Sequence, residues 1–288
     1  MPVPYDLIKI NVVDPNKIEL FNKGTRDKKD QDVFRCKASG VIFIENEVSK
    51  ETYIEGEYWN ELGNKKFEHE LRNDRLMKEL KPLIVQKKVL EIGCGAGQLL
   101  HAMHEYTEEI SAVEVNRNHR ELLLNKGMEC VENIEDVKKE FDIVIMCHVF
   151  EHLAHPLDFL ESLKQLKENN CPNRACSLII TIPHANDALL TGFDLQEYRD
   201  FILWSQHMIL YTRDSISRLL QFCDFNVELI KGIQRFSLDN HLNWLTKKKP
   251  GGHKSIISLM VSSKTNESYE NDLARIDMTD TLLVKASF

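Results

Sequence analysis

The sequence predicts a doubly wound α/β fold: a mostly parallel seven-stranded sheet with an N-terminal extension. Three observations lead there. Short apolar strands alternate with helix-patterned segments from Lys88 to Lys231, an order that buries a parallel sheet between two helix layers. The first of those strands runs into a glycine-rich turn, Val89-Leu-Glu-Ile-Gly-Cys-Gly-Ala-Gly97, which opens a helix. An acidic residue, Glu114, ends the next strand about twenty residues further on, where ribose-binding βαβ units place a carboxylate.

Taken in order, residues 1–56 form a lead-in lobe, with a charged loop from Lys23 to Asp32 and a strand over Gly40–Glu45. Apolar residues at helical spacing (Tyr58, Leu62, Phe67, Leu71, Leu76, Leu80) predict a helix over Glu57–Leu80, closed by Pro82. Lys88–Ile92 is the first core strand, and Gln98–Tyr106 the helix after the turn. Strands follow over Glu109–Val115, Phe141–Cys147 and Ser177–Ile182, with helices over Asn118–Lys126 and Pro156–Lys167 between them. Residues 184–210 read as an irregular insertion, long enough to imply function. A helix over Asp214–Phe222 and strands over Phe225–Lys231 and Ser255–Ser262 complete the main domain, 57–263. Residues 264–288 read as a polar tail with one short helix, Tyr269–Ile276.

Composition narrows the class. The 288 residues carry a net charge of -8, which disfavours nucleic acid or an anionic membrane as main partner and favours a small molecule. Seven scattered cysteines without a C-x-x-C pair indicate neither a disulfide scaffold nor structural zinc. No signal-like or membrane-length apolar run is present, so the expected location is cytoplasmic.

The glycine turn discriminates between cofactors. Gly93, Gly95 and Gly97 permit positive φ and close backbone approach, but a dinucleotide fingerprint needs a glycine where Gln98 stands, and no Walker lysine follows. Glu91, just ahead of the turn, suits a cationic amino group and repels phosphate. With Glu114 for the ribose hydroxyls, the pattern describes an aminoacyl nucleoside. The alternative is a plain tight βα turn with a surface glutamate.

On these residues the chain resembles class I S-adenosylmethionine (SAM)-dependent methyltransferases, whose fold is Rossmann-like. The resemblance implies SAM as cofactor and an enzyme. It also implies adenine contacts from Glu132, Asn133 and Ile134, and a place beside the methionine part of SAM for the segment Phe141 to Leu153, including His148. Two further stretches, Asp32–Phe43 and Ser237–His253, resemble bacterial methyltransferases of surface-polysaccharide (capsule or O-antigen) sugar biosynthesis. Many relatives of that kind carry a small zinc ribbon at the front. Here Ser39 stands where the partner of Cys36 belongs, so no metal is expected there.

Methyl transfer to a hydroxyl needs a held acceptor, excluded water and a proton acceptor. Histidine suits the last task near neutral pH. His152, His184 and His207 are the candidate bases, His152 first, because ligands of open α/β sheets bind beyond the carboxyl ends of the strands. The alternative readings are a helix cap for His152 and a satisfied, partly buried residue for His207, while His155 reads as a surface group. A minor branch has histidines with Glu151, Asp187 or Asp194 binding a divalent cation, although no ligand spacing compels it. Tyr53, Tyr58, Trp59, Trp204 and Trp244 are candidates to stack on a sugar or base. Arg235, Lys247–Lys249 and Lys254 are candidates for a diphosphate. The leading expectation is O-methylation of a nucleotide-linked sugar. The alternatives are N-, O- or C-methylation of another small metabolite, such as a quinone or polyketide precursor, and a non-catalytic SAM-binding scaffold.

Overall fold

The computed structural model describes residues 4–49, 51–54 and 66–288, and the side chains of these residues apart from 51 and 66–74. The predicted aromatics Tyr58 and Trp59 and the start of the predicted helix lie outside the described residues. Among the described residues, no helix is long and apolar enough to cross a membrane.

The elements alternate as the sequence implies. The main strands are β4 (Lys88–Ile92), β5 (Glu109–Val113), β6 (Cys130–Val131), β7 (Ile143–Cys147), β8 (Ser177–Pro183), β10 (Asn226–Ile233) and β11 (Thr281–Ser287). They form one sheet in the order β10-β11-β8-β7-β4-β5-β6, parallel from β8 to β6 and antiparallel at β11 and β10. The parallel strands are near-continuous apolar runs, as a sheet covered on both faces requires. Val144, Ile145, Met146, Ile179 and Ile180 are fully buried.

Chain order reverses between β4 and β7, since the strands after β4 lie on one side and β7 and β8 on the other. A crevice opens there, beyond the carboxyl ends of the two strands. The glycine turn and the His148–His152 segment both emerge at this point.

A second sheet, β1 (Ile18–Asn22), β2 (Val33–Cys36), β3 (Ile42–Ile44) and β9 (Ile209–Leu210), is antiparallel throughout. Its last strand comes from the 184–210 insertion, which is therefore a packed element and not an irregular loop. Ala188–Gly192 forms one π-helical turn capped by Asp187, a helix spans Gln196–Ile202, and Leu189, Leu190, Tyr198 and Leu203 are buried. Cys36 is buried at the end of β2, with Sγ 4.0 Å from the Asp14 carbonyl.

Three expectations are corrected. Ser255–Ser262 is not a strand: it holds a 3₁₀ turn, Ile256–Met260, with Ile256, Leu259 and Met260 exposed. An apolar run without a neighbouring strand to pair with has no ladder to join. The strand assigned there is β11, inside the supposed polar tail. Its Leu282, Leu283, Val284 and Ala286 are buried between β8 and β10, after a helix over Ser263–Arg275. Pro82 does not close its helix either, because Lys66–Ile84 continues two residues past it. A proline so near a C-terminus forfeits only one intrahelical bond.

Candidate active site

The glycine turn is built by sterics. Gly93, Gly95 and Gly97 all have left-handed φ, at 72°, 56° and 77°. A Cβ on Gly93 would lie 2.5 Å from Val149, and one on Gly97 would lie 2.2 Å from Leu123. Those two glycines let the turn pack against the segment after β7 and the helix Arg117–Asn125. A Cβ on Gly95 would meet nothing within 4 Å. Its absence leaves the backbone open to the crevice, where a ligand can approach.

Two carboxylates flank this turn. Glu114 is buried and accepts from the Gly95 amide at 2.7 Å through Oε2 and from the Asn116 amide at 2.8 Å through Oε1. Each oxygen keeps a lone pair for a ribose hydroxyl. Glu91 is only 2% exposed, and its Oε2 has no hydrogen-bond partner among the described residues. Burial, and then the nearby Glu114 charge, push its carboxyl up to about 8. A cationic amino group placed there would satisfy the orphan oxygen and favour its ionised form. The open Gly95, the tethered Glu114 and the unpartnered Glu91 together fit an aminoacyl nucleoside such as SAM.

The adenine candidates are committed locally. Glu132 accepts from Arg120 at 2.6 Å. Asn133 caps the short turn Ile134–Asp136, and Ile134 packs on the core.

After β7 the backbone of His148 turns through φ 55° into a 3₁₀ turn, Phe150–His152. His148 Nε2 lies 2.9 Å from an Arg235 guanidinium nitrogen, and Nδ1 lies 3.2 Å from Glu151 Oε1. A guanidinium only donates, so Nε2 accepts and the proton resides on Nδ1, facing Glu151. Arg235 is in turn held by Asp280 at 3.0 Å. Glu151 is fully buried and its Oε2 has no partner among the described residues; burial raises its carboxyl to about 8.

His152 Nδ1 lies 2.7 Å from the Gln206 carbonyl, which can only accept. That contact needs the proton on Nδ1, and the ring also has a hydrogen bond to the His148 backbone. The ring meets Tyr53 and His207 edge-on, at 5.6 and 5.1 Å between centroids. Burial lowers His152 to about 4, and burial with the neighbouring His152 and Arg235 lowers His207 to about 3. Both imidazoles are neutral at physiological pH. Ligand atoms of Glu151, His152 and His207 all lie within 4.8 Å of one another.

His184 does not join them. It is fully buried at the end of β8, with Nδ1 3.0 Å from the Thr279 carbonyl and Nε2 3.8 Å from Asp277. Asp187 caps its π-helical turn and accepts from Tyr198, while Asp194 pairs with Arg199. Neither belongs to the cluster.

Sequence reasoning did not single out Asn116 and Asp280, or the Gln206 carbonyl. Asn116 donates to the Tyr53 and Ile54 carbonyls at 3.3 Å, which ties the short helix Glu51–Ile54 beside Glu114 and brings Tyr53 over His152. No local pattern marks such long-range contacts.

A family model described as a methyltransferase domain matches residues 64–230, more than half of the chain. The mitochondrial ubiquinone biosynthesis O-methyltransferase of Schizosaccharomyces pombe is 30% identical over 142 residues, covering 43% of this chain and 52% of that protein. The chain thus spans about half the length of that relative. The Arabidopsis thaliana protein of the same name is 25% identical over 239 residues, 72% of each chain. These relatives are named for ubiquinone biosynthesis and do not support the expected kinship with polysaccharide sugar methyltransferases. A SAM dependent methyltransferase from Archaeoglobus fulgidus superposes with a TM-score of 0.54 at 18% identity, covering 81% of this chain and 100% of that one, a likeness of fold. By its sheet order, its glycine turn and the extent of the family match, the chain belongs to the methyltransferase-domain family and has the class I SAM-dependent methyltransferase fold.

Proposed function

We propose that the chain transfers a methyl group from SAM to a hydroxyl oxygen of a small-molecule acceptor, with a ring hydroxyl of a quinone precursor as the preferred class. The observation that carries this reading is the contact between the two halves of the crevice. The SAM-type turn packs through Gly93 onto Val149, inside the segment that presents Glu151 and His152.

Bound SAM supplies an electrophilic sulfonium methyl. The chain's own residues would do the rest. Glu91 and Glu114 hold the amino and ribose groups, Glu132 to Ile134 border the adenine, and His148 lies on the methionine side. The acceptor oxygen is placed against Glu151, His152 and His207, a group that lowers the cost of losing the hydroxyl proton. Tyr53, held over His152, limits access of water.

Two observations favour the quinone-type acceptor over the nucleotide sugar. Arg235, a candidate for the diphosphate, is committed to Asp280 and His148. Trp244, a candidate for sugar stacking, is 2% exposed and packs on Tyr198 and Phe201. The names of the ubiquinone-biosynthesis relatives point the same way.

The test is turnover with radiolabelled SAM on ortho-dihydroxybenzoates and on nucleotide-diphosphate sugars, with SAM binding measured by calorimetry alongside. Label transfer to the aromatic acceptors alone supports the reading. Transfer to sugars alone restores the sugar acceptor, and micromolar SAM binding without turnover on any acceptor favours a non-catalytic scaffold.

A further inference from the structure

We propose that Cys171 and Cys176 form a dithiol that a peroxide oxidises reversibly to a disulfide. Cys171 ends the helix Pro156–Asn170 and Cys176 immediately precedes β8, so the pair brackets the turn Cys171-Pro-Asn-Arg-Ala-Cys176. This turn lies at the amino ends of β7 and β8, the opposite end of the strands from the crevice, and the modification is independent of the methyl-transfer reading.

The two thiols converge on one atom. The Phe141 carbonyl accepts from Cys171 Sγ at 3.2 Å and from Cys176 Sγ at 3.2 Å, and the two sulfurs are in hydrogen-bond contact with each other. All seven cysteines of the chain are free, so the pair stands in its reduced form. Thiols that share an acceptor and touch one another are placed to bond with small side-chain movements.

The surroundings assign the two roles. The Phe141 amide donates to Cys171 Sγ at 3.3 Å, and Arg174 Nη2 lies 3.8 Å from the same sulfur. Arg174 shares its charge with Glu140 and Asp142, at 3.4 and 3.3 Å, and Lys167 adds a second cation near both sulfurs. Amide donors and cations are the partners that a reacting thiolate keeps, which makes Cys171 the attacking sulfur. Burial, and then the neighbouring Cys171, push the Cys176 thiol up to about 12, so Cys176 holds its proton until the second step. Both sulfurs are buried, but Pro172 to Ala175 are exposed, and a local opening of that stretch admits an oxidant as small as a peroxide.

In the first step the Cys171 thiolate attacks a peroxide oxygen and the O–O bond breaks. The departing hydroxide takes up the proton lost from the thiol, and Cys171 becomes a sulfenic acid. The Cys176 sulfur then attacks the Cys171 sulfur, the S–O bond breaks, and the departing hydroxide leaves as water with the Cys176 proton. One peroxide is thus reduced to two waters while two thiols become one disulfide, which a thiol reductant reopens. Cys94 and Cys130 also adjoin, but the charges around them include the carboxylates of Glu91 and Glu114, which oppose a thiolate.

The test uses the full chain, reduced, desalted and treated with one equivalent of hydrogen peroxide, then alkylated and digested with trypsin for mass spectrometry. Cleavage after Arg174 puts the two cysteines in separate peptides, so the expected result is one disulfide-linked pair lighter by two hydrogens and absent after dithiothreitol. In Cys176→Ser the peroxide should leave Cys171 as a sulfenic acid that dimedone traps. Arg174→Gln, at an exposed position, should slow the loss of the Cys171 thiol several-fold. The map of the wild type decides the site even where a cysteine variant does not fold. A Cys94–Cys130 link in place of the expected one, links between chains only, or seven thiols lost at equal rates overturns the proposal.

Discussion

Arg235 links the site to the edge of the sheet: one guanidinium nitrogen lies 2.9 Å from His148 Nε2, while its Nε lies 3.0 Å from Asp280 Oδ1. Asp280 is 3% exposed and also accepts from the amides of Arg235 and Phe236. Removing the cation leaves a buried carboxylate without its charge partner, a change that costs about 3–5 kcal/mol. Arg235→Ala is therefore expected to shift the urea midpoint sharply downward. Arg235→Ala combined with Asp280→Ala removes both charges and should recover part of the loss. Equal midpoints for wild type and Arg235→Ala would show that the pair contributes nothing.

Glu91 gives the apoprotein a pH dependence of definite sign. Its carboxyl rises from the ordinary 4.5 to about 8, mainly through burial. The folded chain thus holds a proton that the unfolded chain releases. This contribution to stability is complete below about pH 4.5 and is lost as pH climbs towards 8. A bound ammonium favours the carboxylate, so SAM binding at pH 7 should release a proton and tighten as pH rises. Calorimetry in phosphate and in Tris at one pH reads that proton as a difference in heat. In Glu91→Gln the difference should vanish, affinity should drop, and apoprotein stability should lose this slope. Identical heats in the two buffers for wild type would refute the linkage.

The three turn glycines should separate by consequence. Gly97→Ala drives a methyl to within 2.2 Å of Leu123 at a φ of 77°, so overpacking of about 1–3 kcal/mol adds to backbone strain. Gly95→Ala meets no atom and carries only the strain, about 1–2 kcal/mol. Its methyl points into the open crevice, so its larger effect should fall on SAM affinity. Thermal unfolding with and without SAM distinguishes the two. Leu123→Ala should rescue part of Gly97→Ala and nothing of Gly95→Ala.

The parts of this fold that were legible are those that local sequence determines. The Val89–Gly97 strand and turn, Glu114 and the strand–helix alternation all follow from periodicity and glycine spacing, and all stand where expected. β11 was hidden because Thr281–Ser287 follows a polar helix and pairs with β8, about a hundred residues earlier. Nothing local announces such a partner. β9 was hidden likewise: two residues, Ile209 and Leu210, become a strand only because Ile42 and Phe43 lie beside them. At the site, His152 and His207 were readable as candidates, but their convergence was not, since it depends on the insertion folding onto the N-terminal sheet. The candidates for stacking and for a diphosphate show what local sequence leaves open. Trp244 is core, and Lys248 lies on the surface 3.9 Å from Glu197.

His184 and His207 make the sharpest comparison among the candidate bases. His184 is fully buried, anchored to the Thr279 carbonyl and set against Asp277, which Arg213 holds at 2.8 Å. Its replacement removes a packed side chain from the end of β8 and leaves the Thr279 carbonyl without that donor. His184→Ala is expected to lower stability by about 1–3 kcal/mol, while folded protein keeps kcat within about threefold of wild type. His207 lies beside His152 and Glu151, so folded His207→Ala should lose kcat by about a hundredfold, within the range for a positioned proton-handling group. Urea unfolding and single-turnover rates on the same preparations read both quantities. If His184→Ala retains stability and loses turnover while His207→Ala does the opposite, the chemistry belongs at the end of β8 and not at the crevice after β7.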